Sequence, residues 1–350
     1  MLVYLLTYFF ILVSNLIKLK FSKKVSWMLT LFVVLYFTIF IGLRYQVGGD
    51  WGAYLSHYQN LELNNFLGNL LSWDPGYVIL EYISKIFGFG VYGVNVLCAI
   101  IFMSSFVYFS KVFRIPLSFS LLIAFPYLIM VVVNGYSRQG VAIGLSMVVY
   151  SLYYQNKIFK SFIFYILAIL FHKITIISGL IYFSKRKFDL RIITLLLIIF
   201  YTIYSIFKNN FDVFLRYYFL SPMQSEGGII RILVNVLAAS LFFIFYKHWK
   251  YFFPSEYQIW KIFSLFSIFV LFFTLITRAT TVGDRILLYF YPLQIVVLYR
   301  TLLLIRNRNL KYIFFTFIVF LYSSMLVVWL LFATHRSFWL PYNNLLFRII

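Results

Sequence analysis

Five short polar stretches interrupt an otherwise apolar chain, and each carries a guanidinium, a carboxylate or an imidazole near the end of an apolar run. The first contains Gly42, Arg44, Tyr45, Gly48, Gly49, Asp50 and Trp51. Ionised groups where a greasy helix leaves the membrane cost free energy, so a polar ligand explains them better than packing does. Its glycines let the backbone turn and approach a ligand, so that Arg44 and Asp50 can face one cavity. The plain alternative is an Arg–Asp pair that pins a loop. The second stretch, Asn134-Gly-Tyr136-Ser-Arg138-Gln139, is a very short turn with amides flanking a charge. If helical, it sets Asn134 and Arg138 on one face; a snorkelling arginine is the alternative. The third is Phe171-His172-Lys173. A neutral imidazole there can take a proton from a hydroxyl, or simply bond backbone where two half-helices meet. The fourth runs from Arg278 to Asp284-Arg285, with Tyr289 one turn on. Two arginines at the mouth of adjacent helices suit a diphosphate, because guanidinium groups grip phosphate bidentately and stay charged when partly buried. Snorkelling, or a local pair between Arg285 and Asp284, is the alternative. The fifth is the tail from His335 through Trp339 to Tyr342, polar enough to close over a site.

The elements that must position these residues are membrane helices. Of 350 residues, 63% are apolar and 11% charged, far below the roughly 25% charged residues of soluble domains. Apolar runs of about 17 to 23 residues recur, each long enough to cross hydrocarbon. They predict an all-α polytopic membrane protein with about 12 transmembrane helices in one integral membrane domain, 1–350. The runs are 1–17, 26–43, 91–110, 117–133, 139–155, 156–171, 172–184, 190–207, 229–246, 259–276, 285–305 and 310–332. A β-barrel is excluded because the runs do not alternate. Residues 1–17 read as a retained helix, lacking the basic start and cleavage site of a signal peptide. Cys98 reads as a packing residue inside an apolar run.

The net charge of +21 points to topology and not to nucleic acid. In the scheme that places the Lys18–Lys24 loop in the cytoplasm, 13 of the 16 lysines fall inside, as the positive-inside rule demands. That scheme requires 156–184 to cross twice, turning near His172. The outer face then holds 44–90, 208–228 and 333–350, most of the arginines, and seven of the nine carboxylates. Residues 77–90, with Glu81 and Lys85, fit an interfacial helix. Trp51, Trp73, Trp329 and Trp339 fall near predicted interfaces. His57, His172, His248 and His335 are far apart and no Asp-x-Asp pair is present, so no metal or cofactor is expected.

Taken together, Arg44-Tyr45 with Gly48, Asp50 and Tyr54, then Ser137-Arg138-Gln139, Phe171-His172, Asp284-Arg285 with Tyr289, and Trp339-Leu-Pro341-Tyr342 resemble the EpsG family of bacterial membrane proteins. That family is a branch of the Wzy-type O-antigen and exopolysaccharide repeat-unit polymerases. The resemblance implies a GT-C-like fold in the bacterial inner membrane. It also implies metal-free transfer of a growing glycan from undecaprenyl diphosphate to a lipid-linked repeat unit at the outer face. On that footing Arg138 and Arg285, helped by Arg278, clamp the diphosphate, and His172 or Asp50 accepts the acceptor's proton. Arg44 and Asp50 position sugar, Tyr45, Trp51 and Tyr136 stack on it, and Asn134, Gln139 and Tyr289 complete the lining. The implied partners are an undecaprenyl-diphosphate-linked oligosaccharide, membrane lipid, a chain-length regulator and a flippase. Lys173 departs from the family, which usually has a small or polar residue there. The runner-up is a flippase for the same lipid-linked oligosaccharide, which would place charges near the midplane in pseudo-symmetric halves. An O-acyltransferase needs a histidine reached from the cytosol, whereas His172 maps outside.

Overall fold

The computed structural model describes residues 1–17, 22–184, 194 and 224–347. The predicted crossing 190–207, most of the external segment 208–228 and the end of the tail lie outside the described residues. Among those described, regular structure is helical apart from an isolated antiparallel bridge between Arg44 and Asn344. Every other predicted run is matched by helix. Four helices are long and apolar enough to cross a membrane: Lys23–Gly42, Gly90–Val112, Pro254–Thr277 and Arg308–Phe332. The number rises to six if two bent pairs each count as one span, Gly228–Ile244 with Tyr246–Phe252 and Thr280–Phe290 with Pro292–Leu304. Leu2–Leu16, Leu117–Val133, Ile158–Phe171 and Lys173–Ser184 are apolar but shorter. The last is a 3₁₀ helix of 12 residues, which at ~2 Å per residue falls short of a ~30 Å hydrocarbon core.

The chain forms two compact units, one from Met1–Thr175 with Arg306–Ile350 and one from Ile176–Ile305, where the hydropathy pattern suggests a single domain. In the first, α1 is Leu2–Leu16 and α2 is Lys23–Gly42. Three short helices follow in the segment expected to be external: α3 (Trp51–Asn60), α4 (Phe66–Ser72) and α5 (Pro75–Ile86). Then come α6 (Gly90–Val112), α7 (Leu117–Ala124, continuing as a π-helix over Phe125–Val133), α8 (Ser137–Tyr154) and α9 (Ile158–Phe171). The helix α8 is the centre of this unit: Arg138 apart, every residue from Ser137 to Tyr153 is buried. A helix apolar on all sides belongs in a core, and α8 packs against both α6 and α9. At Gly42 the last turn of α2 lies so close to α6 that a Cβ would stand 2.7 Å from the Val96 Cα.

Residues 77–90, expected as an interfacial helix, fall largely in α5. Pro75 opens it at a position where the missing N–H costs nothing. It exposes Ile79, Ile83 and Ile86 along one face while Tyr77, Val78 and Glu81 are buried, the pattern of a helix lying against lipid.

The second unit contains the bent pairs and Pro254–Thr277. Arg300 is held in a buried pair with Glu256 at 2.7 Å.

Candidate active site

Where α2 ends the chain reverses, with Gln46 at φ 53° and Gly48 at φ 111°. A Cβ on Gly48 would stand 2.7 Å from the Gly135 Cα, so the 43–50 loop and the 134–137 turn touch backbone to backbone. Only glycine meets both demands. Arg44 is 1% exposed and points inward. Its Nε donates to the Val47 carbonyl (3.1 Å), Nη1 to the Ile41 carbonyl (2.8 Å), and Nη2 to Asn95 Oδ1 (3.0 Å) and Ser137 Oγ (2.7 Å). Burial pushes this guanidinium below its ordinary pKa. Arg44 therefore clasps its own turn and ties it to α6 and α8, bonding neutral acceptors. Asp50 is half-buried at the start of α3, within electrostatic reach of Tyr54 and Arg138. Beside them Tyr45, Trp51 and Tyr92 form a half-buried aromatic patch. Tyr45 and Tyr92 lie stacked at 6.5 Å and Trp51 stands 5.9 Å from Tyr92.

The polar tail packs onto this loop. Tyr45 N donates to the Asn343 carbonyl (3.0 Å), Gly48 N to the Phe338 carbonyl (2.8 Å), and Leu345 N to the Leu43 carbonyl (2.8 Å). Trp339 is buried between Trp329 and Tyr136, 5.2 and 5.9 Å away.

Arg138 sits in the first turn of α8. The backbone leaves helical geometry at Tyr136 (φ −132°, ψ 72°), so the expectation that Asn134 and Arg138 share one helix face is corrected. Arg138 instead reaches the external helices. Its Nη1 donates to Asp74 Oδ2 at 2.7 Å, and its guanidinium carbon lies 4.0 Å from the Trp73 ring centroid and 5.6 Å from that of Tyr54. Burial raises the Asp74 carboxyl above its ordinary value, against the pull of Arg138 and Lys173. Burial also raises the Tyr54 hydroxyl.

Several buried polar atoms here complete no hydrogen bond within the protein, among them Gln139 Nε2 and Trp339 Nε1. The Tyr4 hydroxyl gives its proton to the Trp339 carbonyl, and its oxygen takes the Asn134 side chain as a further partner. Each such atom costs about 1–3 kcal/mol when left unmatched, and a bound polar ligand is one reason a fold keeps them.

His172 caps α9, its N–H donating to the Ala168 carbonyl and its carbonyl accepting from Thr175 N. The adjacent Phe171 ring packs on Gly76, two residues from Asp74. Four of the five polar stretches thus belong to the first unit. The fourth stretch lies in the second. There Arg278 is exposed in a left-handed conformation (φ 59°), Arg285 is exposed and Tyr289 is buried. Asp284 is gripped by Arg231 through two bonds of 2.9 and 2.7 Å. Sequence reading therefore missed Arg231 as Asp284's partner, and missed Trp73 and Asp74 as the seat of Arg138. The only signal for the latter was an acid beside a tryptophan in an external segment.

Among the described residues, no group of three or more His, Cys, Asp or Glu side chains is placed to hold a metal ion. The family model described as EpsG family matches residues 27–344, nearly the whole chain. No curated protein and no solved structure matches the chain significantly.

Proposed function

The chain belongs to the EpsG family, a family of Wzy-type polymerase-like proteins, and from that premise we propose that it joins lipid-linked oligosaccharide repeat units into polysaccharide. The donor is a growing glycan on undecaprenyl diphosphate, the acceptor is a second lipid-linked unit, and the site faces outward from the bacterial inner membrane. No metal takes part.

The observation that carries this reading is the setting of Arg138. Asp74 holds Nη1, the Trp73 ring centroid lies 4.0 Å from the guanidinium carbon, and the Tyr54 ring lies on the same group at 5.6 Å. A pre-oriented, partly desolvated guanidinium stabilises charge that develops on a departing diphosphate far better than a solvated one does. Removing one such donor costs roughly 10²–10³ in rate. Asn134, Gln139 and the Trp339 indole N–H supply further polar contacts, and Tyr45, Trp51 and Tyr136 supply faces for sugar rings. Only residues of the first unit carry this reading.

The test is the paired exchange Asp74→Asn with Arg138→Gln in the host strain. It removes both charges while leaving neither buried alone. Membranes should hold normal amounts of protein, and gels of the surface glycan should show single repeat units. Long chains in that strain overturn the assignment. Lipid intermediate retained on the cytoplasmic side would point to a flippase instead.

A further inference from the structure

The second unit carries a basic and aromatic surface that the reaction does not use. Three of its helices, in chain order, are α10 (Gly228–Ile244), α11 (Tyr246–Phe252) and α12 (Pro254–Thr277). The helix α12 is long and apolar enough to cross a membrane, and α10 packs along it. At ~1.5 Å per residue the 17 residues of α10 reach ~25 Å, near the ~30 Å of a hydrocarbon core. Ile244, the last residue of α10, is exposed, as are Phe269, Phe272 and Ile276 of α12, the surface of helices that face lipid. Between α10 and α11 the axis turns by 71°. The short helix therefore leaves the end of one membrane helix sideways and leads to the start of the next. That course lays it along the membrane surface.

Its side chains divide sharply. Trp249 is 0% exposed and lies between Phe242 and Phe253, with ring centroids 5.2 and 5.3 Å away. It pins α11 to the end of α10 and the approach to α12. The other six residues, Tyr246, Lys247, His248, Lys250, Tyr251 and Phe252, are exposed. Lys247 and Lys250, spaced i and i+3, share one helix face. Among the described residues neither lysine belongs to an ion pair. The nearest acid in the chain, Glu256, is buried and held by Arg300 at 2.7 Å and by the Trp260 indole N–H at 3.3 Å. Two unneutralised ammonium groups thus stand among three exposed aromatic rings. Hydrocarbon suits the rings and not the charges, and bulk water the reverse. The headgroup layer suits both, since aromatic rings favour that depth and lysine stems lie on apolar surface while their charged ends reach phosphate.

We propose that α11 is a binding surface for anionic phospholipid headgroups and seats the second unit on one leaflet. The ammonium groups of Lys247 and Lys250 donate to headgroup phosphate oxygens, while Tyr246, Tyr251 and Phe252 lie among the glycerol groups beneath. In the topology that the lysine count favours, this leaflet is the cytoplasmic one. The surface is independent of the glycan reaction.

The experiment uses the full chain carrying Tyr251→Cys, labelled there with a bimane fluorophore; Cys98 is buried and stays unlabelled in the folded protein. The protein is returned to phosphatidylcholine vesicles holding a trace of headgroup-nitroxide lipid, either phosphatidylglycerol or phosphatidylcholine. The fluorophore should be quenched by both, and more strongly by the phosphatidylglycerol label. Adding Lys247→Gln and Lys250→Gln should abolish that preference, each single exchange lowering it by up to about fivefold. High salt should weaken it as well. Lys23→Gln with Lys24→Gln removes the same charge from the first unit and should leave the preference intact. Equal quenching by the two labels, or a preference that survives loss of both lysines, overturns the proposal. A fluorophore untouched by either lipid label also overturns it: open to a water-soluble quencher it faces solvent, and shielded from one it is covered by a second copy of the chain.

Discussion

Arg138 and Asp74 stand 64 residues apart in the chain, yet Nη1 of one lies 2.7 Å from Oδ2 of the other, with side chains 19% and 7% exposed. The pair fastens the central buried helix α8 of the first unit to the start of α5. Neither member is dispensable alone, because a partly buried charge loses more by losing its partner than the pair gains by forming.

The pair has a pH signature. The folded state holds the Asp74 proton more tightly than the unfolded state does, since its carboxyl is raised above the ordinary 3.8. Stability from this group is therefore greatest at low pH and falls as pH rises through the folded-state value. Arg138 pulls that value down, so Arg138→Ala should extend the fall to higher pH. We expect a loss of about 1–3 kcal/mol near neutrality, less than the ~3–5 of fully buried pairs because Arg138 is partly wet. Adding Asp74→Asn should flatten the curve. Thermal unfolding in detergent between pH 4 and 8 measures this; parallel profiles for wild type and Arg138→Ala would contradict it.

Arg44 should behave as a structural residue with an indirect effect on rate. Arg44→Lys cannot reach four acceptors on three segments and leaves buried oxygens unmatched, at about 1–3 kcal/mol each. The expected outcome is less folded protein in the membrane, with near-normal turnover per folded molecule. Normal protein amount with a lost rate would instead make Arg44 a substrate contact.

Gly48→Ala should destabilise the loop by about 1–3 kcal/mol through its positive φ alone, and more through collision with Gly135. Gly52→Ala is the control, since a Cβ there meets nothing within 4 Å. Comparable unfolding temperatures for the two variants would remove Gly48 from the structural account.

Trp73→Leu keeps an apolar but smaller side chain and removes the ring from beneath Arg138. Cation–π contacts contribute about 0.5–2 kcal/mol, so the rate should drop roughly 3- to 30-fold while Trp73→Phe falls less. Steady-state assays with extracted lipid-linked units rank the three; equal rates would sever Trp73 from Arg138.

The helices were legible because hydropathy reports them directly: each apolar run among the described residues has its helix, within a few residues. Their capacity to span was not, because Leu117–Val133 and Ile158–Phe171 are apolar for reasons of burial as well as of lipid contact. The polar stretches around Arg44, Arg138 and Trp339 stood out in the sequence because charge is rare in this chain, and the structure packs them together. Which charge faces a ligand was not. Arg44 was expected to position sugar, yet its hydrogen bonds turn inward, a fact set by Asn95 and Ser137 of other helices. Asp74 and Glu81 were visible as external acids, but their partners lie 64 and 24 residues away, and no local pattern encodes a distance of that kind.

The tail's backbone bonds to the 43–48 loop bear on how the protein is made. Helices enter a membrane in chain order, and the loop that shapes the site is among the first segments to emerge. Its partners, Phe338, Asn343 and Leu345, are among the last. Through nearly all of synthesis that loop waits without its cover, so assembly of the site is a late step, slow in the way that contacts between distant segments are slow. A ribosome that stops short of residue 338 releases a chain with its helices in place and its site unfinished, and such products should be inert without being misfolded.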